Sequence, residues 1–471
     1  MIQPNADSWT GVIETISSKG FGVGTITLTH SGKTLRRPIF IPFTAPGDQI
    51  DATVTYRRGK YSFGEIKNII NPSLHRAVPL CPHFTVCGGC DLQHITYDEQ
   101  LRQKAQQVAY IFKKNNIILT EENVRILGAK KHRHYRRRSK IALEFKNKKI
   151  VAGFRKYRSH DIVPITTCFI VDESIVQLII ILNAATTPIE EDCTFEILSV
   201  TGENKKLAIL VPLDTLSDTT KKWVRLFFEE LYATHRSLLG NLFFSERGES
   251  RTSGMVQEHL TYAASGMKFS FLPETFIQAN IATNEILIAT LLELLASCKA
   301  KNVLDLYAGI GNLSLPIAKL AAQVVAVEGY ETSVLLGRIN ATQNNVHNII
   351  FLHKSTEHYL NDHKRKASSS EKDDSKTTMQ EKHEGQNTVP SEHMIPDTII
   401  LDPPRTGCTE QVISDLLLLR AKNIIYASCN PETLVRDIHL MNKTYKVEKI
   451  ICIDMFPDTH HVETLVLLTT Q

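Results

Sequence analysis

"NVLDLYAGIGNLSLPIAKLAAQVVAVE", residues 302–328, decides the fold. An aliphatic run of strand length stops at a turn holding Gly309 and Gly311, a helical stretch follows, and a second aliphatic run ends on Glu328. Strand, glycine loop, helix and strand in that order predict a doubly wound, Rossmann-like α/β domain continuing to the C-terminus. The glycines let the backbone turn tightly beside a ligand, and a carboxylate ending the second strand is placed to accept from ribose hydroxyls. The third glycine of a dinucleotide fingerprint would fall at position 314, which is Ser314. A nucleoside without phosphates, such as S-adenosylmethionine, therefore suits the loop better than a dinucleotide does. Farther on, "IILDPPRTGC" supplies a third strand ending at Asp402, at the carboxyl edge where such sheets bind ligands. Taken alone, it could equally be a strand end with a proline turn.

The whole chain of 471 residues is too long for one ordinary domain. Hydrophobic residues at 42% and charged residues at 22% exclude a fibrous or wholly disordered protein. A net charge of +4 permits a nucleic-acid partner without requiring one. The start has no apolar segment behind a basic one, and the longest aliphatic stretch, "IVQLIIIL" at 175–182, is far short of the roughly 18 residues of a membrane span. A cytoplasmic protein with no membrane partner is expected. In that compartment nine cysteines are thiols, metal ligands or catalytic groups before they are disulfides.

Residues 8–70 read as five short strands broken by Gly, Ser and Pro, a small β-barrel. Arg36, Arg37, Arg57, Arg58 and Lys60 decorate it with Tyr56, Tyr61 and Phe63 between them, a mixture that suits single-stranded nucleic acid or a solvated barrel with core aromatics. A mixed α+β region follows, with a helix over about 97–114. It contains "AKKHRHYRRRSK", in which seven of the eleven residues 130–140 are Lys or Arg, dense enough to hold phosphates. Residues 364–395 are almost devoid of large apolar side chains and read as a disordered insertion.

Two cysteine patterns carry chemistry. Cys429, in "SCNP", stands where the strand "NIIYA" runs into a helix, a place that lowers a thiol pKa. Cys81, Cys87 and Cys90 form C-x5-C-x2-C, with Cys168 later in "ITTC"; four thiolates can hold zinc or a [4Fe-4S] cluster, and the spacing leaves both open.

In order along the chain, "PLCPHFTVCGGCDLQHITYDEQLRQK", "YRRRSK", "GFRKYRSHDIVPITTC", "FIQAN", "DLYAGIGNLSLPIA", "DPPRTG", "SCNP" and "FPDTHHVE" resemble the RNA (uracil-C5)-methyltransferases, in the branch with an N-terminal TRAM domain and an iron-sulfur cluster. The resemblance implies a TRAM-like, OB-like RNA-binding barrel over 1–70, an iron-sulfur and RNA-binding region over 71–270, and a methyltransferase domain over 271–471. It implies Cys429 as nucleophile and Glu463 as general base. It also implies Gln278, Tyr307, Asn312, Glu328 and Asp402 around S-adenosylmethionine, and Cys81, Cys87, Cys90 and Cys168 around [4Fe-4S]. The activity implied is methyl transfer to carbon 5 of an RNA uridine, in 23S rRNA before tRNA, by a monomer. Ser355, Thr356 and Glu357 stand where many such enzymes place an acid near the adenine, so that contact is left unassigned. The alternatives are the same chemistry on tRNA, an adenine amino-methyltransferase built on "DPPR", and a non-catalytic RNA-binding scaffold. Arg405 in place of an aromatic residue and an otherwise idle Cys429 argue against the second; intact Asp402, Cys429 and Glu463 argue against the third.

Overall fold

The computed structural model describes residues 8–30, 33–117, 124–186, 191–246, 249–252, 259–370, 391–392 and 394–471. Among the described residues up to 71 there are six strands rather than five: Ser8–Val12, Thr15–Ile16, Phe21–His30, Lys33–Pro42, Gln49–Arg58 and Tyr61–Asn71. The extra one is two residues long, too short to show a period in sequence. Alternation within Gln49–Arg58 turns Ile50, Ala52 and Val54 inward, as a half-buried strand requires. The sheet curls until its first and third strands meet, and the Trp9 indole N–H donates to the Thr25 carbonyl at 3.2 Å across the seam. Gly24 leaves room for that ring, since a Cβ there would lie 2.5 Å from it.

The middle of the chain builds a seven-stranded sheet in the order Ile162–Pro164, Lys149–Arg155, Arg138–Lys146, Cys193–Thr201, Leu207–Pro212, Leu239–Glu246, Glu249–Thr252. The aliphatic stretch 175–182 lies in the Glu173–Ala184 helix, capped by Asp172, with Ile175, Leu178, Ile179 and Leu182 turned into the core. No helix among the described residues is long and apolar enough to cross a membrane.

The C-terminal sheet has eight strands in the order Ile349–His353, Gln323–Glu328, Asn302–Leu306, Thr398–Leu401, Asn423–Ser428, Glu463–Thr470, Tyr445–Ile453 and Val124–Leu127. The first five are parallel, and Glu463–Thr470 runs antiparallel to both neighbours. Separate apolar clusters cover its two faces, one including Leu291, Ile317 and Phe351, the other Phe112, Leu416 and Leu434. Two pieces of the segment before residue 271 complete this unit. Strand Val124–Leu127 pairs with its far edge, and helix Tyr97–Lys114 covers one face with Val108, Ile111 and Phe112.

That helix also buries polar side chains. Lys104, 3% exposed, donates to Asp454 at 2.6 Å and to the Phe456 carbonyl at 3.2 Å. Breaking a buried pair strands the remaining charge. Lys104→Met is expected to lower the unfolding free energy of this domain by about 3–5 kcal/mol, and Lys104→Met with Asp454→Asn to restore much of it. Denaturant melts of the three proteins check this; a single variant as stable as the parent would remove the pair from the account.

The disordered insertion expected at 364–395 does not begin at 364. Residues 364–370 prolong helix Thr356–Ser370, where Lys364 pairs with Asp415 at 2.9 Å, while residues 371–390 and 393 lie outside the described residues. At the far border Met394 is buried in the apolar core and Lys354 bonds to Glu392. Tertiary contacts thus hold both ends of a segment whose composition is polar.

Candidate active site

The loop after Asn302–Leu306 needs unusual backbone. Tyr307 (φ 65°), Gly309 (φ 57°) and Gly311 (φ 89°) all lie in the left-handed region that glycine adopts freely and tyrosine only under constraint. Gly309 N–H donates to Glu328 Oε2 at 2.9 Å, and Tyr330 N–H donates to Oε1 at 2.8 Å, so the second strand's terminal carboxylate ties the glycine loop to the next turn. Asn312 Oδ1 accepts from Tyr262 and Asn284 at 2.9 and 2.7 Å, which fixes its amide. Tyr307 meets the Thr356 hydroxyl. Gln278, Tyr307, Asn312 and Asp402 line one cavity of about 30 Å³, room for a water rather than a nucleoside. Its lining includes Phe276, which is 64% exposed.

Asp305 was not singled out in the sequence. Its signal was there, a carboxylate inside the apolar run "NVLDLYA". It is fully enclosed, bonds to the Ser314 hydroxyl through Oδ2, and leaves Oδ1 without a partner in the structure. Burial pushes its carboxyl up to about 7, with Ser314 opposing and Asp402 and Glu328 adding to the rise. Burial raises Asp402 as well. Glu463, at the start of the antiparallel strand, is raised strongly by burial and then by Asp402, with Arg405 opposing. Two enclosed carboxyls, Asp305 and Glu463, and the half-buried Asp402 therefore crowd the cofactor end of the site.

Cys429 follows strand Asn423–Ser428 and precedes the helix cap Asn430, whose side chain accepts from Glu432 N–H. The expected fall in thiol pKa does not occur here. Burial, reinforced by Glu463 and Asp402, pushes the thiol up to about 11, while Arg405 opposes by charge and a side-chain hydrogen bond. The sequence had offered Arg405 only as the wrong residue for base stacking. Its backbone carbonyl accepts from Asn430 Nδ2 at 3.1 Å and from Thr433 Oγ1 at 3.2 Å, which locks the "DPPR" loop beside the thiol. Cys408, by contrast, is buried against Tyr426 and Tyr307, as packing.

Cys429 opens on a cavity of about 210 Å³ between residues 16–19 of the barrel, helix Tyr97–Lys114, and His460 and His461. His461 is held neutral near pH 7, its pKa lowered to about 3 by burial and then by His460 and Arg405. A second cavity of about 730 Å³ shares Lys19, Arg405, His460 and His461 with the first and reaches Cys81, Cys87, Cys90 and Cys168. The four cysteines thus converge although Cys168 is 78 residues beyond Cys90. Burial raises Cys81, Cys87 and Cys90. Among the described residues no group of three or more His, Cys, Asp or Glu is spaced for one metal ion. The segment after Cys90 clamps the loop that leads to Glu463: Asp91 and Leu92 N–H donate to the Asp458 carbonyl at 3.1 and 3.0 Å, and the Asp91 carboxylate bonds to His460.

The basic run is divided. Arg136 and Lys140 line the cysteine cavity, Lys130, Lys131, Arg133 and Arg137 line a separate groove, and Arg138 turns inward to donate to the carbonyls of Pro273, at 2.8 Å, and Thr275. Arg138 braces the turn before Gln278 and is not a phosphate contact.

A glycine loop, a strand-end carboxylate and a neighbouring carboxyl cluster on a mostly parallel sheet define an S-adenosylmethionine-dependent methyltransferase. Residues 96–471 match the family described as tRNA (Uracil-5-)-methyltransferase. The chain belongs to that family and is an RNA (uracil-C5)-methyltransferase. It is 30% identical to a 23S rRNA (uracil(1939)-C(5))-methyltransferase of Vibrio cholerae over 97% of both chains. It is 31% identical to one from Enterobacter sp. over 97% of this chain and 95% of that one. A tRNA (uracil-54, C5)-methyltransferase of Pyrococcus abyssi, solved with S-adenosyl-L-homocysteine, shares the fold with a TM-score of 0.65 at 22% identity, over 98% of this chain and 100% of that one.

Proposed function

We propose that the methylated RNA is 23S rRNA, that Cys429 is the nucleophile and that Glu463 is the general base. The full-length similarity to enzymes named for 23S rRNA supports the substrate. The observation that carries the roles is the convergence of Cys429, Arg405, Asp402 and Glu463 between the glycine loop and the cavity that receives the base. Carbon 5 of uracil is a poor nucleophile. Cys429 sulfur adds to carbon 6 and pushes electrons toward carbon 5 and the carbonyl at carbon 4. S-adenosylmethionine supplies an electrophilic methyl group to carbon 5. Glu463 then removes the carbon 5 proton, and the returning electron pair expels the Cys429 thiolate. Gln278, Tyr307, Asn312, Glu328 and Asp402 are the residues we assign to the cofactor.

Arg405 is the cation the thiol needs. Arg405→Gln is expected to slow both methylation and iodoacetamide alkylation of Cys429, by about tenfold or more for a one-unit rise in thiol pKa. An alkylation rate matching the parent at pH 8 would count against that role.

We assign 1–70 as a TRAM-like RNA-binding barrel, 71–270 as the iron-sulfur and RNA-binding region, apart from helix Tyr97–Lys114 and strand Val124–Leu127, which complete the C-terminal sheet, and 271–471 as a doubly wound methyltransferase domain in a monomeric, cytoplasmic enzyme. Cys81, Cys87, Cys90 and Cys168 are the ligands for a [4Fe-4S] cluster. Four thiols that line one cavity offer the soft donor set such a cluster takes. Such a cluster would join the two halves of the central region; no step of the methylation runs through it. The test is labelled S-adenosylmethionine with unmodified 23S rRNA and tRNA in separate reactions, digested to nucleosides. 5-Methyluridine from 23S rRNA alone is expected; label from tRNA alone would overturn the substrate, and label in methyladenosine the mechanism.

A further inference from the structure

The groove that takes the outer half of the basic run has no part in the chemistry above. It encloses about 920 Å³, far more than one phosphate needs, and shares no lining residue with the two cavities joined at Arg405. The backbone at 136–137 creates the division. Arg136 N–H donates to Ile170 and its carbonyl accepts from Asp172, while Arg137 N–H donates to Ala279 and its carbonyl accepts from Thr201, so this stretch is strand-like and bonded on both sides. Side chains on such a backbone alternate between faces. Arg136 points into the cysteine cavity and Arg137 into the other groove.

Lys130, Lys131, Arg133 and Arg137 meet Lys205 there, from the turn at residues 202–205 between two central strands. No ion pair ties these five to a carboxylate among the described residues. The two acids present are Asp172, committed to capping its helix, and Glu173, 69% exposed and facing His134. The groove is cationic and, among the described residues, no aromatic ring lines it apart from His132 and His134. The cysteine cavity instead carries Phe21, Phe84, Phe154 and Tyr157. Unstacked bases need aromatic faces, whereas a paired stem is held by its phosphates.

We propose that this groove binds the phosphate backbone of a base-paired segment flanking the target uridine, while the Arg405 cleft takes the unpaired strand. The proposal rests on the RNA reading and adds a second contact surface to it. The experiment is fluorescence anisotropy with a stem-loop RNA carrying the target uridine and with a short single-stranded RNA of the loop sequence. For Lys131→Ser/Arg133→Ser/Lys205→Ser, the stem-loop Kd is expected to rise about tenfold or more, and the slope of log K against log salt to fall by about 2 to 3. The Kd of the short RNA stays at the parent value. Lys156→Ser, in the other cavity, weakens both RNAs, and the charge-conserving Lys131→Arg/Arg133→Lys/Lys205→Arg keeps the parent affinity for the stem-loop. An unchanged stem-loop Kd, equal weakening of both RNAs by the serine variant, or loss of affinity in the charge-conserving protein overturns the proposal. Failure of the parent to bind either RNA would instead overturn the RNA reading itself.

Discussion

Cys429→Ala is expected to abolish 5-methyluridine formation, lowering turnover by about 10⁴-fold or more, the scale on which a lost nucleophile acts. S-adenosylmethionine binding persists, because four of the five residues assigned to it lie on the glycine loop, strand Gln323–Glu328 and the Phe276–Gln278 wall, and the fifth, Asp402, keeps its carboxylate in the variant. Equilibrium binding of labelled cofactor beside single-turnover methylation separates the two effects. Retained turnover would sink the nucleophile assignment. In the substrate-free protein the thiol is protonated at neutral pH, since burial, Glu463 and Asp402 together outweigh Arg405 and push it up to about 11. Alkylation of Cys429 should therefore climb steeply as pH rises from 8 to 10, in contrast to a free thiol, which levels off near its pKa of about 8.5. The cationic cofactor brings a positive charge to the carboxyl cluster that raises this thiol, so its presence should increase the alkylation rate at fixed pH.

Glu463→Gln is expected to cut turnover by about 10²–10⁴-fold, the range of a lost general base, and to leave protein covalently joined to RNA. The amide cannot take the carbon 5 proton, and without that step the carbon 6 bond to Cys429 cannot break. Removing the Glu463 charge also relieves one of the groups that raises the thiol, so the first half of the reaction is not slowed. Denaturing gels of protein with labelled RNA read the adduct directly; normal turnover with no adduct would remove Glu463 from the base role. Stability carries a second signature. Burial, then Asp402, raise the folded pKa of Glu463 above its unfolded value of about 4.3. A carboxyl raised in this way favours folding below that unfolded value, and the advantage is lost as pH rises through the folded pKa. Glu463→Gln should consequently melt at the parent's temperature near pH 4 and above it at pH 8.5.

The elements legible in the sequence were those whose instructions are local. Gly309 and Gly311 marked a turn needing left-handed backbone, the aliphatic runs ending at Leu306 and Glu328 marked parallel strands, and helix Tyr97–Lys114 was bounded correctly from its pattern. Cys429 could be placed at a strand-to-helix junction because both elements adjoin it in the chain. Its ionisation could not be read in the same way, since Glu463, Asp402 and Arg405 surround it from three other segments. The charge that Arg405 brings to the thiol, the burial of Asp305 and the Lys104–Asp454 pair are hidden for a related reason. Sequence gives a residue's chemistry, whereas burial and partner charge depend on distant chain segments, 350 residues away for Lys104 and Asp454.

By itself, then, the sequence determined the glycine loop, the strand, loop, helix and strand that succeed one another from Asn302 to Glu328, and the set of residues available for chemistry. Periodicity and backbone preference act over a few residues and need no distant partner. Only the tertiary structure decided that strand Val124–Leu127 closes the far edge of that sheet, that Arg138 braces a turn while Arg136 and Arg137 part company, and that four scattered cysteines share a cavity with Arg405. Those outcomes follow from which strand edges pair and which faces pack, and such long-range matching leaves no period along the chain.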